Sequence, residues 1–375
     1  MVPYIVVFAL TTLLAYVLGR KVLEDATSPK RILFAICVCA PVVFLASIRD
    51  YSIGTDVLVY GKSSFELACA HSLPSYFQIT AGNYGIGYTL LCWIISNTFM
   101  SMPVFLGAIE LVAFLPVVLA CFKMSLKYAW VGICIYLLLF YGGTLNYLRQ
   151  GMALGFILFS VSCLLKQEWK SSLMLFVIAE SLHQTAVLAI PIYLLIIYYL
   201  FIFKPGQEVS KRGKVLVRGI ACIAALAVVL FGRSLIVTYS SLKESYADQV
   251  SRLGTGGINL IITILLILIV LLLYMHAKSK ECRASQVSDC LVLVVVIGFL
   301  LRFLTIWQAQ LERVGLFYLA CCALAASAIS ANLKRGDRTP FIISVIAASF
   351  LYFFFYYVHY GYSEIVPFVV NSSLL

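Results

Sequence analysis

Four short stretches of this chain combine residue types that can bind an anion and move a proton. SIRDYSIGTDVLVYGKSSF, residues 47–65, carries Arg49, Asp50 and Asp56, with His71 a few residues on. TLNYLRQGMALGF holds Asn146, Arg149 and Gln150 at i, i+3 and i+4, which places them on one face of a helix. LFVIAESLHQTAVLAIP sets Glu180, His183 and Gln184 at the same spacing. RFLTIWQAQLERVGLFY brings Arg302, Trp307, Gln308, Glu312 and Arg313 to one turn, with Gln308 and Glu312 four apart. Guanidinium groups offer planar forks that fit phosphates and carboxylates, which Lys does not reproduce. Each group also has a plainer reading. Arg49 can snorkel at a helix end with Thr55 or Asp56 capping the next helix. Asn146–Gln150 can be a polar turn, His183 can bond to its neighbour Glu180, and Trp307 can belong to an interfacial aromatic belt. In the IGTD step, Gly54 is free to take a positive φ.

The elements that carry these groups are membrane helices. Of 375 residues, 63% are apolar and 11% charged, too few charges to clothe a soluble domain of this length. Apolar runs recur from end to end, so the expected fold class is all-α: a polytopic membrane protein forming a single integral-membrane domain over residues 1–375. The first run lacks the flanks of a removed signal peptide and reads as a retained span. The 171–203 run is long enough for two short spans, with their turn near His183 dipping below the surface. Six polar links, RKVLEDATSPKR, FKMSLK, KQEWK, KPGQEVSKRGKVLVR, KSKECR and KRGDR, hold nineteen of the 27 Lys and Arg residues and belong in the cytoplasm by the positive-inside rule. Keeping them on one side requires an odd number of crossings between residues 85 and 122. The GYTLLCWIIS segment within 86–101 is therefore expected to be re-entrant or interfacial. About twelve true spans then remain, with both termini outside.

Two external loops follow from that topology, 49–84 and 233–257, the second an amphipathic loop or lid. The remaining basic residues, six of them Arg, all fall on the non-cytoplasmic side: Arg49, Lys62, Arg149, Arg233, Lys243, Arg252, Arg302 and Arg313. Outward cations oppose the insertion preference, and an anionic ligand on that face would compensate them. The net charge of +11 thus speaks for topology and not for nucleic acid. The 12 cysteines lie almost entirely within apolar runs, with only Cys69 and Cys282 in polar links, and show neither zinc spacing nor a disulfide framework. No inverted repeat of the transporter kind is visible.

IRDYSIGTDVLVY, NYLRQGMAL and IAESLHQTAVL resemble segments of the EpsG-like family of Wzy-type polysaccharide (O-antigen and exopolysaccharide) polymerases. The similarity lies in Arg49 to Asp56 (Arg-x-x-x-x-Gly-Thr-Asp), in Arg149-Gln150-Gly151-Met152-Ala153, and in His183-Gln184-Thr185. Glu312-Arg313 and Pro367-Phe368 match later features, and the resemblance spans most of the chain. YGIGYTLL departs from it, with Gly85 where the family usually has an acidic residue.

The resemblance implies a glycosyltransferase with a GT-C-like helical fold in the bacterial cytoplasmic (inner) membrane, its active site facing outward. Its substrates would be polyprenyl-diphosphate-linked oligosaccharides, with flippase and chain-length regulator proteins as partners beside membrane lipid. On the residues, Arg49, Arg149, Arg302 and Arg313 are candidates to hold the diphosphate leaving group. Asp56 or His183 is the candidate base for the acceptor hydroxyl, with Asp56 slightly favoured, and Asn146, Gln150, Trp307 and Glu312 are candidates to hold glycan. No external Asp-x-Asp or carboxylate cluster suggests Mg²⁺ ligation, so no cofactor and no metal are expected. A flippase of lipid-linked sugars, an O-antigen-ligase-like enzyme and a membrane O-acyltransferase are the rival readings.

Overall fold

The computed structural model describes residues 1–25, 28–202, 211–234, 237, 256–277 and 283–372. Most of the 233–257 loop lies outside these residues, as do Lys243, Arg252 and Cys282. The described chain is almost wholly helical; its only β pairing is an isolated antiparallel bridge between Arg49 and Val370.

Helices α1 (Val2–Asp25) and α2 (Ser28–Ile48) lead into a compact helical insert: a π-helical turn at Val57–Lys62, α3 (Ser63–Ala70), α4 (Leu73–Thr80) and α5 (Ile86–Phe99). Then come α6 (Met102–Met124), α7 (Ala129–Tyr136), a π-turn and α8 (Gly142–Asn146), α9 (Leu148–Leu165) and α10 (Trp169–Leu182). A 3₁₀ turn at Gln184–Ala189 precedes α11 (Ile190–Ile202), followed by α12 (Lys211–Leu230), α13 (Leu260–Ala277) and α14 (Arg283–Arg302). The chain closes with α15 (Glu312–Leu319), α16 (Cys321–Asn332) and α17 (Arg335–Phe353). Among the described residues nine helical segments are long and apolar enough to cross a membrane.

Small residues let the central helices meet backbone to backbone. On α16, CCALAASAIS is buried throughout, and Gly132 of α7 sits so close that an added Cβ would lie 2.3 Å from the Ala323 carbonyl. Lipid tails are as apolar as leucine, so close packing of this kind is what holds such helices together. Most buried apolar side chains join one continuous core, while a smaller second core seats α3–α5 on α6 and α9.

The ends of the bundle are chemically distinct. Lys123 pairs with Glu168 at 2.6 Å, the Arg338 guanidinium lies 4.7 Å from the Tyr128 ring, and Gly19 abuts the Leu126 carbonyl. Four basic links therefore share one end. The opposite end holds Arg49, the start of α1 and the last described stretch around Asn371. There Tyr4 donates its hydroxyl to the Ile365 carbonyl at 2.8 Å, and Asn371 donates its N–H to the Ile48 carbonyl at 2.9 Å.

Helix α5 begins and ends at that same end. Its N-terminus packs on Ser181 and Leu182, and Gly107, shortly after it in α6, abuts Ser47. At 14 residues it is about 21 Å long. The 49–84 segment is likewise an assembly of short helices rather than an extended loop, and Cys69 lies within α3.

Gly54 shows why the first polar turn has its sequence. Its φ is +87°, and an added Cβ would lie 2.9 Å from the Leu145 carbonyl. Gly54→Ala thus combines a disfavoured conformation, ~1–2 kcal/mol, with a backbone collision. The expected result is a lowered melting temperature together with loss of activity, read by thermal unfolding in detergent.

Candidate active site

Each of the polar groups sits at a break in helical structure, and this corrects the spacing argument. Asn146 ends α8, Tyr147 adopts φ −90° and ψ 62°, and Arg149 and Gln150 open α9. Asn146, Arg149 and Gln150 therefore do not share one helical face. Helix α10 stops at Leu182, and His183 is extended at φ −155° and ψ 118°, so it is not one face with Glu180 and Gln184 either. Gln308 is extended too, at φ −161°, ahead of a 3₁₀ turn, so it does not precede Glu312 by one helical turn. Breaks of this kind free backbone groups and turn side chains inward at the end of a bundle.

The breaks bring Asp56, Arg149, Arg313 and His183 into one electrostatic neighbourhood. Asp56 does not cap the turn that follows it. Its backbone N–H donates instead to Asn146 Oδ1 at 3.1 Å, and the neighbouring Thr55 hydroxyl donates to Glu364 Oε2 at 2.9 Å. The Asp56 carboxyl is thereby left over. Burial pushes its pKa above the ordinary aspartate value, while Arg313 and Arg149 draw it down. Among the described residues it forms no direct ion pair with either arginine. His183 is driven to about 4, first by burial and then by Arg149 and Arg313, so its imidazole is neutral at pH 7.

Both arginines are held by aromatic rings. The Arg149 guanidinium lies 4.6 Å from Tyr60, 4.9 Å from Tyr84 and 5.8 Å from Tyr88, and donates to the Asn83 carbonyl at 2.9 Å. Arg313 lies 3.9 Å from the Tyr147 ring, and Gln150 donates Nε2 to the Arg313 carbonyl at 3.0 Å. Cation–π attraction to the surrounding rings holds each guanidinium in place. Gln150 is 3% exposed and its Oε1 has no partner among the described residues, whereas Asn146 is committed to the Asp56 backbone. The tyrosines were not among the candidates read from the sequence. Nothing in their spacing sets them apart from the other aromatics of an apolar chain.

Arg49 is placed beneath this group rather than in it. It is 1% exposed, donates Nη1 to the Leu145 carbonyl at 3.0 Å and interacts electrostatically with buried Glu110 of α6. The bond anchors the carbonyl just before the Tyr147 kink. Its Nε and Nη2 are buried and have no hydrogen-bond partner among the described residues.

Arg302 lies to one side of this group, sharing a small void with Arg313 and Tyr147, and is paired with Glu312. Its Nη1 donates to Glu312 Oε1 at 2.5 Å, and the Tyr356 hydroxyl donates to the same carboxylate at 3.0–3.1 Å. Trp307 donates its indole N–H to the Val229 carbonyl at 2.7 Å and packs against Gly232, so its pyrrole edge is used by the protein. Gly85 is explained by proximity: an added Cβ would sit 2.3 Å from the Ser181 carbonyl, and an acidic side chain there would force α5 away from α10.

Comparison with curated proteins and with solved structures gives no significant match. A family model does match, over residues 32–370. The stretch it covers contains every residue of the site just described, and the chain belongs to the EpsG family, a Wzy-like polymerase family.

Proposed function

We propose that this membrane protein, whose family points to polysaccharide polymerisation, joins polyprenyl-diphosphate-linked oligosaccharide repeat units at the outer face of the bacterial cytoplasmic membrane. The observation that carries the reading is that Asp56 and His183 each feel both Arg149 and Arg313, although the four residues come from distant parts of the chain.

An acceptor hydroxyl oxygen attacks the anomeric carbon of the donor glycan, and the bond from that carbon to the diphosphate breaks. Asp56 takes the hydroxyl proton and passes it to water. Its raised pKa makes it a stronger base than a free carboxylate. The charge that develops on the departing polyprenyl diphosphate falls between the Arg149 and Arg313 forks, which are oriented in advance by their tyrosines. His183, neutral, orients the acceptor or the diphosphate by hydrogen bonding. Arg49 is a positioning residue acting through Leu145. The reaction needs no cofactor and no divalent cation on this account.

In the full topology α10, α11 and α12 cross beside the nine longer spans, giving twelve crossings in a GT-C-like arrangement, with the basic links in the cytoplasm. A flippase would place Glu110 along a transport path; its proximity to Arg49 gives it a different part, as the counter-charge of a buried cation. Glycan analysis of cells carrying an inactive allele tests the assignment. Lipid-linked material ending at a single repeat unit on the outer face is the expected result. Repeat units trapped on the cytoplasmic face would instead indicate a translocation defect.

A further inference from the structure

Beside the reaction centre lies a cavity of about 420 Å³, within the ~300–1,000 Å³ range of ligand pockets. It opens at the site end of the bundle, between the start of α13 and the end of α14. Its walls include Phe299, Phe303, Arg302, Glu312, Asn259 and Tyr362. Three observations define what it can take. First, among the described residues its one cation is spent: Arg302 is bonded to Glu312, so these walls offer no surplus positive charge for a phosphate. Second, its described polar lining is a mixed set of a guanidinium, a carboxylate, an amide and a phenol, with the Asn259 amide donating to the Tyr362 hydroxyl at 3.5 Å. Third, Phe299 and Phe303 are only partly buried and stand edge to face at 5.4 Å, leaving ring surface in the cavity wall.

We infer that this cavity is a binding subsite for an uncharged oligosaccharide, held by hydroxyl contacts to Arg302, Glu312 and Tyr362 and by stacking on Phe299 or Phe303. Paired donors and acceptors match vicinal hydroxyls, each of which can donate and accept. Apolar ring faces match the C–H face of a pyranose. The subsite is also continuous with the chemistry. Arg302 and Glu312 line a second, much smaller void together with Arg313 and Tyr147, so glycan in the larger cavity ends beside the diphosphate clamp. The aromatic platform that Trp307 suggested in the sequence is supplied by these phenylalanines. The inference rests on the polymerase reading, and it gives the arginines separate roles, with Arg149 and Arg313 holding diphosphate and Arg302 holding sugar.

Two probes on the purified full-length protein in detergent test the subsite. One is inorganic pyrophosphate; the other is the free repeat-unit oligosaccharide released by mild acid from the organism's own lipid-linked intermediates. Saturation-transfer NMR should show the oligosaccharide binding to wild type. Tyr362→Phe and Phe299→Leu should each weaken it at least about fivefold, with pyrophosphate affinity unchanged. In turnover, both variants should raise KM for the lipid-linked repeat unit more than they lower kcat. Oligosaccharide binding that is absent, or insensitive to both substitutions, while pyrophosphate still binds in an Arg149-dependent way, overturns the subsite and leaves the polymerase reading standing. The reverse pattern, sugar bound at the cavity and no pyrophosphate bound, sinks the polymerase reading instead. Tyr362→Phe keeps the ring, and its melting temperature serves as the control for folding.

Discussion

Asp56→Asn is expected to lower polymerisation by about 10²–10⁴-fold, the range for loss of a positioned general base. The substitution isolates chemistry from structure. What ties residue 56 into the fold is its backbone N–H, which donates to Asn146, and its side chain caps nothing. The variant should therefore reach the membrane in normal amounts, with an unchanged melting temperature. The pH profile carries a second signature. A base works deprotonated, so kcat/KM should fall as pH drops through the Asp56 pKa. Burial raises that pKa above 3.8, so the acid limb should lie higher than for a free aspartate. Neutralising Arg313 by Arg313→Gln removes a charge that holds the pKa down, and should move the limb to still higher pH. His183, at about 4, stays neutral across the assay range and adds no limb near neutrality. Near-wild-type turnover in Asp56→Asn would transfer the base role to His183.

Arg149→Lys is expected to cost about 10²–10³-fold in kcat, comparable with removing one preorganised donor from a charge-stabilising site. Lysine keeps the charge and loses the planar fork. It also loses the guanidinium's contacts with the Tyr60, Tyr84 and Tyr88 rings and the bond to the Asn83 carbonyl. If the fork matters, Arg149→Lys should resemble Arg149→Gln to within about tenfold. If only charge matters, Lys should perform like wild type. Polymer length and yield in cells, read beside kcat for the purified protein, separate the two.

Much of this arrangement is legible in the sequence because membrane insertion writes sidedness into composition. Four of the basic links meet at one end, Arg49, Arg149, Arg302 and Arg313 fall at the other, and the parity of crossings already keeps 86–101 from counting as a full span. The break at His183 also follows from length, since 171–203 is too long for one span and short for two. Less legible are the helix breaks at Tyr147 and Gln308. Neither position has a Pro or a Gly at the break, and i, i+3, i+4 spacing looks the same whether a helix runs through or stops. The division among arginines is not legible either. Arg49, Arg149, Arg302 and Arg313 are the same residue type on the same side. Only packing shows that one is buried against a carbonyl, one is paired with Glu312, and two lie against tyrosine rings near Asp56. The second half of the site, where Thr55 meets Glu364 and the chain end bridges to Arg49, depends on contacts across some three hundred residues.

The most direct measurement supplies the purified protein, in lipid vesicles, with polyprenyl-diphosphate-linked repeat units, and counts both products. One polyprenyl diphosphate should be released for each new glycosidic bond, and Asp56→Asn should abolish both together. Lipid diphosphate released without chain growth, or repeat units carried across the bilayer with their lipid still attached, would contradict this.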